Sequence, residues 1–336
     1  MINKIMLSRS KFLICILLFF FSLLNFSYAS NSADGFNDWL ISFKSRALNE
    51  GISQGTIDNV FKNVRFLKQV IKYDRKQPEF FEDTITYVNK RASSSRVNQA
   101  KNLLKENKSL FFKVENEFNV NKELLLSLWG IETNFGKHVG KMDIVSSLAT
   151  LSYDKRRSEF FSKQLIVLLN LVDRELIDPS TLYGSWAGAF GNFQFMPTSI
   201  ERYAIDYDNN SKIELKNSLE DSLASAANYM SKIGWNMNEP CFYRVDLKKD
   251  VNKKYINSSA RKIKNRLKVS KWKKKGVFIL DEEKSKIDLK AALVMPDGKP
   301  DTPAYLVFSN YEKILKWNRS LRFAVTVCTL SNMIKL

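Results

Sequence analysis

Glu132 is the side chain whose surroundings best suit acid chemistry. It stands in the segment 128–136, which has the sequence Leu-Trp-Gly-Ile-Glu-Thr-Asn-Phe-Gly. A carboxylate at the end of an apolar helix is poorly solvated, and this raises its pKa above the ordinary value of about 4.3. Such a group holds a proton at neutral pH and can deliver it to a leaving oxygen. The pattern therefore indicates a general acid, while an exposed glutamate at a helix end is the simpler alternative.

The segment 184–197 combines small, aromatic and amide residues in the order Gly-Ser-Trp-Ala-Gly-Ala-Phe-Gly-Asn-Phe-Gln-Phe-Met-Pro. Small residues let the backbone approach another surface closely. The aromatic rings offer flat apolar faces, and Ser185, Asn192 and Gln194 offer hydrogen bonds. This mixture suits a sugar, whose faces are apolar and whose edges are polar. A tight structural loop would have a similar composition.

An acidic segment at 206–214 has oxygen-bearing residues at alternate positions. Asp206, Asp208 and Asn210, followed by the backbone carbonyl of Lys212, resemble the first half of an EF-hand loop. The sixth position is Ser211 instead of glycine, and the twelfth lacks a glutamate, although Glu220 and Asp221 follow it. The segment indicates a bound cation or, alternatively, a solvated acidic turn.

Two adjacent arginines, Arg156 and Arg157, follow the segment Ser152-Tyr153-Asp154. Paired guanidinium groups suit anionic carboxylates or phosphates. A solvated helix start is the alternative interpretation.

The composition excludes several other classes of protein and of chemistry. The chain has 336 residues, 44% hydrophobic and 26% charged, which is typical of a globular protein with a substantial core. The single histidine argues against a Ser-His-Asp triad or a histidine-rich metal site. A net charge of +18 favours anionic partners.

The N-terminus has the pattern of a secretory signal peptide. A basic start is followed by an apolar run over 12–26 and by Ser27-Tyr28-Ala29. The run is shorter than the 20 or so residues that a membrane anchor needs. Because Ile14 before Cys15 is not small, we expect cleavage after Ala29 and not a lipoprotein. The product would be an exported periplasmic protein.

Cleavage there would lower the net charge from +18 to +15, because three basic residues leave with the peptide. It would also leave Cys241 and Cys328 as the remaining cysteines. These two residues can pair in an oxidising compartment. With no spacing motif, we favour two buried thiols.

The elements that must position these groups are mostly helical. Helical spacing is predicted within 36–76, and a single helix is predicted over 96–118. Further helices are predicted over 123–133, with Asn121 as the cap, and over 156–176. An ordered loop over 178–197 precedes a short helix to Ala204 with a Thr198/Glu201 capping box, and another helix covers 218–233. Short β-type runs at 242–245, 277–280, 291–295 and 304–308 surround a basic stretch, and helix returns over 310–333. Residues 244–290 carry 17 Lys+Arg and 6 Asp+Glu, so most of the positive charge lies there.

Several blocks, kept in order, resemble the family of membrane-bound lytic transglycosylase B. They are Asp74–Phe80, Trp129–Gly136, Ala149–Tyr153, the 184–197 loop, Ala226–Tyr229 and Gly234-Trp235, and the likeness extends over about 36–333. The resemblance implies cleavage of the β-1,4 bond between N-acetylmuramic acid and N-acetylglucosamine in peptidoglycan. It also implies that a 1,6-anhydro sugar forms in place of water addition, and that Glu132 is the single catalytic carboxylate.

The resemblance also implies the other site residues and the fold. The implied substrate residues are Tyr87, Arg156, Arg157, Ser185, Gln194, Tyr229, Trp317 and Asn318. A calcium site of some members matches Asp206, Asp208, Asn210, Lys212 and Asp221, and no cofactor is required. The implied fold class is mainly α (α+β): a lysozyme-like helical core with an N-terminal helical extension and a small β-rich insert. Trp317 stands where the family often has tyrosine, and Cys241 where tryptophan is frequent.

The expected organisation follows from these segments. We expect a signal peptide over 1–29, a helical extension over 30–120, a catalytic core over 121–240 containing the EF-hand-like loop 206–221, a basic β-rich insert over 241–306, and a C-terminal helix over 307–336. The expected partner is the peptidoglycan glycan strand and not nucleic acid. We expect a monomer, with wall-synthesis or wall-degrading proteins as further partners.

Other functions compete with this one. A muramidase would release ordinary reducing ends, and a non-catalytic wall-binding protein would use the 178–197 loop and the basic insert. Nucleic-acid binding through the insert is the third alternative, and the signal peptide argues against it.

Overall fold

A computed structural model describes residues 33–76, 82–248, 251–280 and 288–335. The predicted signal peptide over 1–29 lies outside these residues, and so does part of the 74–80 block. Within them the chain is mainly helical with small sheets, which confirms the expected fold class.

Six helices form the N-terminal part of the chain, and each packs apolar side chains against the core. In chain order they are α1 (Phe36–Asn49), α2 (Gln54–Val60), α3 (Lys68–Arg75), α4 (Thr84–Arg91), α5 (Ser94–Glu106) and α6 (Lys108–Phe118). Ser53, Asp83 and Ser93 cap α2, α4 and α5 through their side-chain oxygens.

The single helix predicted over 96–118 is wrong, because the chain forms two helices that meet at Asn107. The backbone there has φ −116° and ψ 31°, outside helical values. Both the N–H and the side-chain amide of Asn107 donate to the Leu103 carbonyl, and this satisfies the end of α5. Apolar periodicity continues across the break, so the pattern alone could not reveal it.

Helix α7 (Lys122–Thr133) is the predicted apolar helix and lies inside the core. Leu124, Leu125 and Leu126 have no exposed surface. The side chain of Asn121 does not cap this helix, contrary to the prediction. Its Oδ1 accepts the indole N–H of Trp235 at 2.9 Å, so a tertiary contact replaces the local one.

The middle of the chain contributes four helices and one small pair of strands. In chain order they are β1 (Met142–Asp143), α8 (Ile144–Tyr153), α9 (Ser158–Asp173), β2 (Tyr183–Gly184), α10 (Pro197–Tyr203) and α11 (Leu219–Lys232). Strands β1 and β2 are antiparallel and join the start of the 184–197 loop to the chain before α8.

The predicted capping box of α10 is wrong. Met196 stands at the N-cap, and the N–H of Thr198 donates to Oε1 of Gln164 at 3.0 Å. Pro197 occupies the first turn of the helix, a position where its missing N–H costs nothing. The capping residue of α11 is Ser218, whose hydroxyl oxygen accepts the Asp221 N–H.

The four predicted β-type runs form strands, and two short strands that were not predicted, Ile256–Asn257 and Leu267–Lys268, join them in the sheet of the insert. The strands are β3 (Phe242–Leu247), β4 (Ile256–Asn257), β5 (Leu267–Lys268), β6 (Val277–Ile279), β7 (Lys290–Val294) and β8 (Ala304–Val307). Their order is β4-β7-β8-β3-β6, with β5 beside β7; the β4–β7 pair is parallel and the other pairs are antiparallel. A short helix, α12 (Val269–Lys273), places the buried Trp272 in a second apolar cluster under this sheet.

The chain ends in two helices, α13 (Ser309–Trp317) and α14 (Leu321–Lys335), where one helical region was predicted. Helix α14 packs against α4, α5 and α7, so the C-terminal segment closes the core. Within the described residues, no helix has both the length and the apolar character that crossing a membrane would require.

The expectation of two free thiols is wrong, because Cys241 and Cys328 form a disulfide. Their Cα atoms are 6.0 Å apart, a normal separation for such a bond. The bond joins the start of the insert to α14 across 87 residues of sequence. Spacing could not reveal this pairing, since tertiary packing alone brings the two residues together.

Removing the disulfide should destabilise the protein strongly. Closing a long loop restricts the unfolded chain, so the double variant Cys241→Ser/Cys328→Ser should lose about 2–5 kcal/mol of unfolding free energy in a urea titration. Wild-type protein unfolded with a reductant is the matched control and should show the same loss. Equal stability with and without the reductant, together with alkylation of both thiols in the non-reduced protein, would contradict the pairing.

Candidate active site

Glu132 lies in the last turn of α7, half-buried, two residues before the left-handed Asn134 that ends the helix. The end of this helix is fixed by Asn192 from the 184–197 loop. Oδ1 of Asn192 accepts the Trp129 indole N–H at 3.0 Å, and its carbonyl accepts the Thr133 hydroxyl at 2.7 Å. The carboxylate is therefore presented from a rigid helix terminus beside that loop.

Trp317, the last residue of α13, contacts the Glu132 carboxylate directly. Its indole Nε1–H donates to Oε1 of Glu132 at 3.0 Å. The indole also stacks on Tyr229, with ring centroids 4.8 Å apart and an interplanar angle of 22°. Tyr229 in turn stacks on Tyr203 at 4.2 Å and 5°. A three-ring column from three helices thus ends at the acid.

The 184–197 loop places further aromatic rings against Trp317. The ring centroid of Phe195 lies 5.1 Å from that of Trp317, and Phe193 lies at 6.3 Å. Phe190 and Phe195 exchange two backbone hydrogen bonds, which folds the loop back on itself. The predicted site residues Glu132, Tyr229 and Trp317 therefore meet at one place, and Gln194 and Asn318 are chain neighbours of residues in this cluster.

Close backbone approach shapes the same loop. A Cβ on Gly140 would lie 2.1 Å from the Gly184 carbonyl oxygen, and one on Gly184 would lie 2.3 Å from the Ala189 carbonyl oxygen. Gly140 also has φ +89°, in the left-handed region that disfavours other residues. The small residues thus have the role that the sequence analysis predicted for them.

The polar side chains of the loop are already hydrogen-bonded within the protein. The hydroxyl oxygen of Ser185 accepts the N–H of Ala189 at 3.0 Å, and the side-chain amide of Gln194 donates to the Val139 carbonyl at 3.1 Å. Asn192, expected to offer a hydrogen bond to a sugar, is only 6% exposed and bonds to the protein. Its structural role could not be deduced from the sequence because its partners lie far along the chain.

Arg156 and Arg157 form a second cluster around the buried side chain of Asp74. Both guanidinium groups bond to the Asp74 carboxylate, and Arg156 also donates to its backbone carbonyl. The arginine side chains remain 47% and 38% exposed. Arg75 adds a two-pronged bond to Asp154 at 2.8 and 2.9 Å. Asp74 was missed as a functional residue, and only its place in a block of the resemblance pointed to it.

Tyr87 lies in α4 and is 6% exposed. The guanidinium carbon of Arg91 sits 3.7 Å from the centroid of its ring. Helix α4 begins at Thr84, whose N–H and hydroxyl both donate to Asp297 in the insert. This contact ties α4 to the insert.

The acidic loop brings three carboxylates together. One oxygen from each of Asp206, Asp208 and Asp221 lies within 4.8 Å of the others. Asp221 is fully buried, and this burial raises its pKa above the ordinary range, with nearby Asp208 adding to the effect. Asn210 sits between them and donates a backbone N–H to Asp206.

Ser211, which replaces the glycine of the EF-hand pattern, adopts the backbone conformation that the pattern requires there. Ser211 has φ +70°, the left-handed conformation for which glycine is preferred at that position. The side-chain oxygens also hold backbone N–H groups, since Asp206 accepts from Ser211 and Asn210 accepts from Lys212. The oxygen-only donor set and the loop shape both suit a hard divalent cation such as Ca²⁺.

The fold and sequence have known relatives. The chain is 40% identical over 119 residues to membrane-bound lytic murein transglycosylase B of Escherichia coli K12, a match over 35% of this chain and 33% of that protein. The matched region thus spans about a third of the curated relative.

Solved structures match over more of the chain. SltB3 from Pseudomonas aeruginosa, solved with NAG-anhNAM-pentapeptide, is 32% identical, with a TM-score of 0.80 over 89% of this chain and 79% of that chain. The lytic transglycosylase Slt35 of E. coli, solved with calcium, is 23% identical, with a TM-score of 0.75 over 88% of this chain and 92% of that one. The second likeness concerns the fold alone.

The sequence resemblance stated above is confirmed by these matches, and so is the expected lysozyme-like fold. The family model described as "Transglycosylase SLT domain" matches residues 35–332, nearly the whole described chain. The chain belongs to the transglycosylase SLT domain family.

Proposed function

We propose that this protein is a lytic transglycosylase that cleaves the β-1,4 bond between N-acetylmuramic acid and N-acetylglucosamine in peptidoglycan. Its family membership and the ligands bound to its relative SltB3 support this substrate. The observation that carries the proposal is the Glu132 carboxylate, fixed at a helix end and bonded to Trp317 within an aromatic cluster.

A single carboxylate fits a transglycosylase better than a hydrolase. A retaining hydrolase needs a second carboxylate about 5–5.5 Å away, and an inverting one about 6.5–9.5 Å away. The acids that follow Glu132 most closely in sequence are used elsewhere. Oδ1 of Asp143 accepts the Ser146 N–H and caps α8, and Asp154 is held by Arg75. With Glu132 as the one acid assigned to the reaction, we propose that the substrate supplies the nucleophile.

The reaction proceeds in two proton transfers at Glu132. The protonated carboxyl first gives its proton to the glycosidic oxygen, the bond from C1 of the muramic sugar breaks, and N-acetylglucosamine leaves with a free 4-hydroxyl. The acetamido group of the muramic sugar stabilises the positive charge at C1. The Glu132 carboxylate then removes the proton from the C6 hydroxyl as O6 bonds to C1. The anhydro ring closes, Glu132 is protonated again, and no water is consumed.

The remaining site residues have proposed roles in holding the glycan. Trp317 presents a ring face on which a sugar can stack. Both faces of Tyr229 are covered, by Trp317 and by Tyr203, so Tyr229 would meet the glycan only through its ring edge while it supports the indole. Further hydrogen bonds to the sugar edges are assigned to Tyr87, Ser185, Gln194 and Asn318. Arg156 and Arg157, whose charge Asp74 offsets only in part, attract carboxylates of the stem peptides.

The acidic loop has a proposed structural role beside the catalytic one. Asp206, Asp208, Asn210, the Lys212 carbonyl and Asp221 would hold Ca²⁺, which neutralises the three clustered carboxylates. Asp221 also accepts the N–H groups of Tyr207 and Glu214, so it links both ends of the loop. The ion would order the connection between α10 and α11 without entering the reaction.

The place of action follows from the substrate and the N-terminal pattern. We propose export to the periplasm through the predicted signal peptide over 1–29. There the protein would act on glycan strands as a monomer. That monomer would comprise the extension over 30–120, the core over 121–240, the insert over 241–306 and the C-terminal segment over 307–336. Contacts with wall-synthesis or wall-degrading proteins would be a further step.

Replacing the catalytic acid should abolish cleavage and leave the fold intact. Glu132→Gln keeps the shape of the side chain but cannot deliver or accept the proton, so release of muropeptides should fall by about 10³-fold or more. The measurement is mass spectrometry of muropeptides released from purified peptidoglycan by the chain without its signal peptide.

The matched control is Glu123→Gln in the first turn of the same helix, which should release products like the wild type. Wild-type products should be one water lighter than hydrolysis products. Ordinary reducing ends would indicate a muramidase, and retention on the wall without release would indicate a binding protein. Activity of Glu132→Gln close to wild type would exclude its proposed role.

Calcium should stabilise the protein through the acidic loop. Saturating Ca²⁺ should raise the melting temperature by about 2–5 °C, because an ion that binds only the folded state stabilises it. Asp221→Asn should lose this shift, and Ser211→Gly should keep or enlarge it, since glycine adopts a positive φ without strain. Thermal unfolding with Ca²⁺, Mg²⁺ or a chelator tests this; an equal Ca²⁺ shift in Asp221→Asn would contradict the site.

A further inference from the structure

Trp317 does more than offer a ring face at the active site, because its N–H contacts the acid itself. We propose that Trp317 is a positioning residue that fixes Oε1 of Glu132 as a hydrogen-bond acceptor and so directs the reactive proton to Oε2. This inference rests on the proposed function, in which Glu132 is first the acid and then the base.

The argument starts from the chemistry of the indole group. An indole N–H donates a hydrogen bond and offers no lone pair to accept one. The oxygen that it contacts, Oε1 of Glu132, must therefore act as the acceptor in their 3.0 Å bond. In a protonated carboxyl group the carbonyl oxygen is the better acceptor, so the proton resides on the other oxygen, Oε2.

The indole is held so that it cannot turn away from the carboxylate. One face stacks on Tyr229 at 4.8 Å, and the Tyr229 hydroxyl donates to the Lys316 carbonyl at 3.1 Å, which fixes that ring beside α13. Tyr203 stacks on the far face of Tyr229, and Phe195 packs against the indole. The direction of the N–H is thus set by packing from α10, α11 and the 184–197 loop.

Tyrosine at this position, which is frequent in the family that the sequence resembles, would not have the same consequence. A phenol hydroxyl both donates and accepts, so it tolerates a proton on either carboxyl oxygen. Tryptophan permits one arrangement only. In this chain the same oxygen, Oε2, would give the proton to the glycosidic oxygen and later take the proton from the C6 hydroxyl.

Several charged and titratable groups are packed around α7. On α5, the Arg96 guanidinium bonds to the Arg91 carbonyl and stays charged, and on α14 Arg322 is paired with Asp297. On α11, burial raises the pKa of Tyr229 to about 12. At the opposite end of α7, Lys122 is paired with Glu115 of α6 and with Glu123. Past the end of α7 lies the exposed His138, whose backbone N–H donates to the Thr133 carbonyl at 2.9 Å. Because no Trp317 variant alters any of these groups, a change in the pH profile on altering Trp317 would report on Glu132.

The test removes the N–H and keeps the ring stacking. Trp317→Phe should lower kcat at least about tenfold, with KM changed less than about threefold, because orientation of the acid is lost while sugar binding remains. The alkaline limb of the kcat profile should move up by about one pH unit, since the lost donor had favoured the ionised carboxylate. Trp317→Tyr, which restores a donor, should recover much of both losses.

A second variant separates the hydrogen bond from packing. Replacing Trp317 with 3-(3-benzothienyl)alanine exchanges the N–H for sulfur and keeps both rings, so it should reproduce the effects of Trp317→Phe even where the smaller ring impairs folding. The matched control is Trp235→Phe, which removes an indole N–H bonded to Asn121 at 2.9 Å and should leave the pH profile unchanged.

Two results would overturn the inference, and they differ from failure of the proposed function. A raised KM with an unchanged pH profile would make Trp317 only a platform for sugar. A wild-type profile in the benzothienyl variant would show that the N–H does not orient the acid. If wild-type protein forms no anhydro product, the proposed function fails and this inference fails with it.

Discussion

The hydrogen bonds of Asn192 are the interaction on which the site depends. The side-chain oxygen of Asn192 accepts the indole N–H of Trp129 on α7, and its side-chain amide donates to Ser222 of α11 at 3.1 Å. Its backbone carbonyl holds Thr133, next to Glu132. Helix α7, the 184–197 loop and helix α11 are therefore joined at a single buried residue, Asn192. Because the Trp129 indole is buried, an aliphatic residue at 192 would leave its N–H unpaired and would also remove the bond to Ser222.

Much of the fold follows from local patterns in the sequence. Helix α7 was predictable because its central residues, Leu124–Leu126 and Leu128–Ile131, are apolar or glycine. The strands of the insert were predictable because short β-branched and aromatic runs alternate with breaks. The predictions failed where a distant residue competes with a local one. Asn121 has the residue type of a helix cap, yet its side-chain oxygen accepts the indole N–H of Trp235. The N–H of Thr198 donates to the side chain of Gln164, and the predicted capping box does not form.

The site shows the same division between local and tertiary information. The prediction of Glu132 as the acid rests on its immediate neighbours, and that of the 184–197 loop rests on its composition. The guanidinium groups of Arg156 and Arg157 were also visible, but their partner Asp74 lies 82 and 83 residues away and its burial cannot be deduced from spacing. The pairing of Cys241 with Cys328 was unpredictable for the same reason, since no local pattern distinguishes a bonded cysteine from a buried thiol.

The order of the chain has a consequence for when the enzyme can become active. The partner of Glu132 lies 185 residues further on, beyond the whole insert. During synthesis from the N-terminus, Glu132 is therefore made long before Trp317, the residue that orients it. Contacts of such long range form late in folding, because loop closure must precede them. Activity would thus be delayed until synthesis and folding are nearly complete, so that a truncated or half-folded chain would carry the acid without its full alignment.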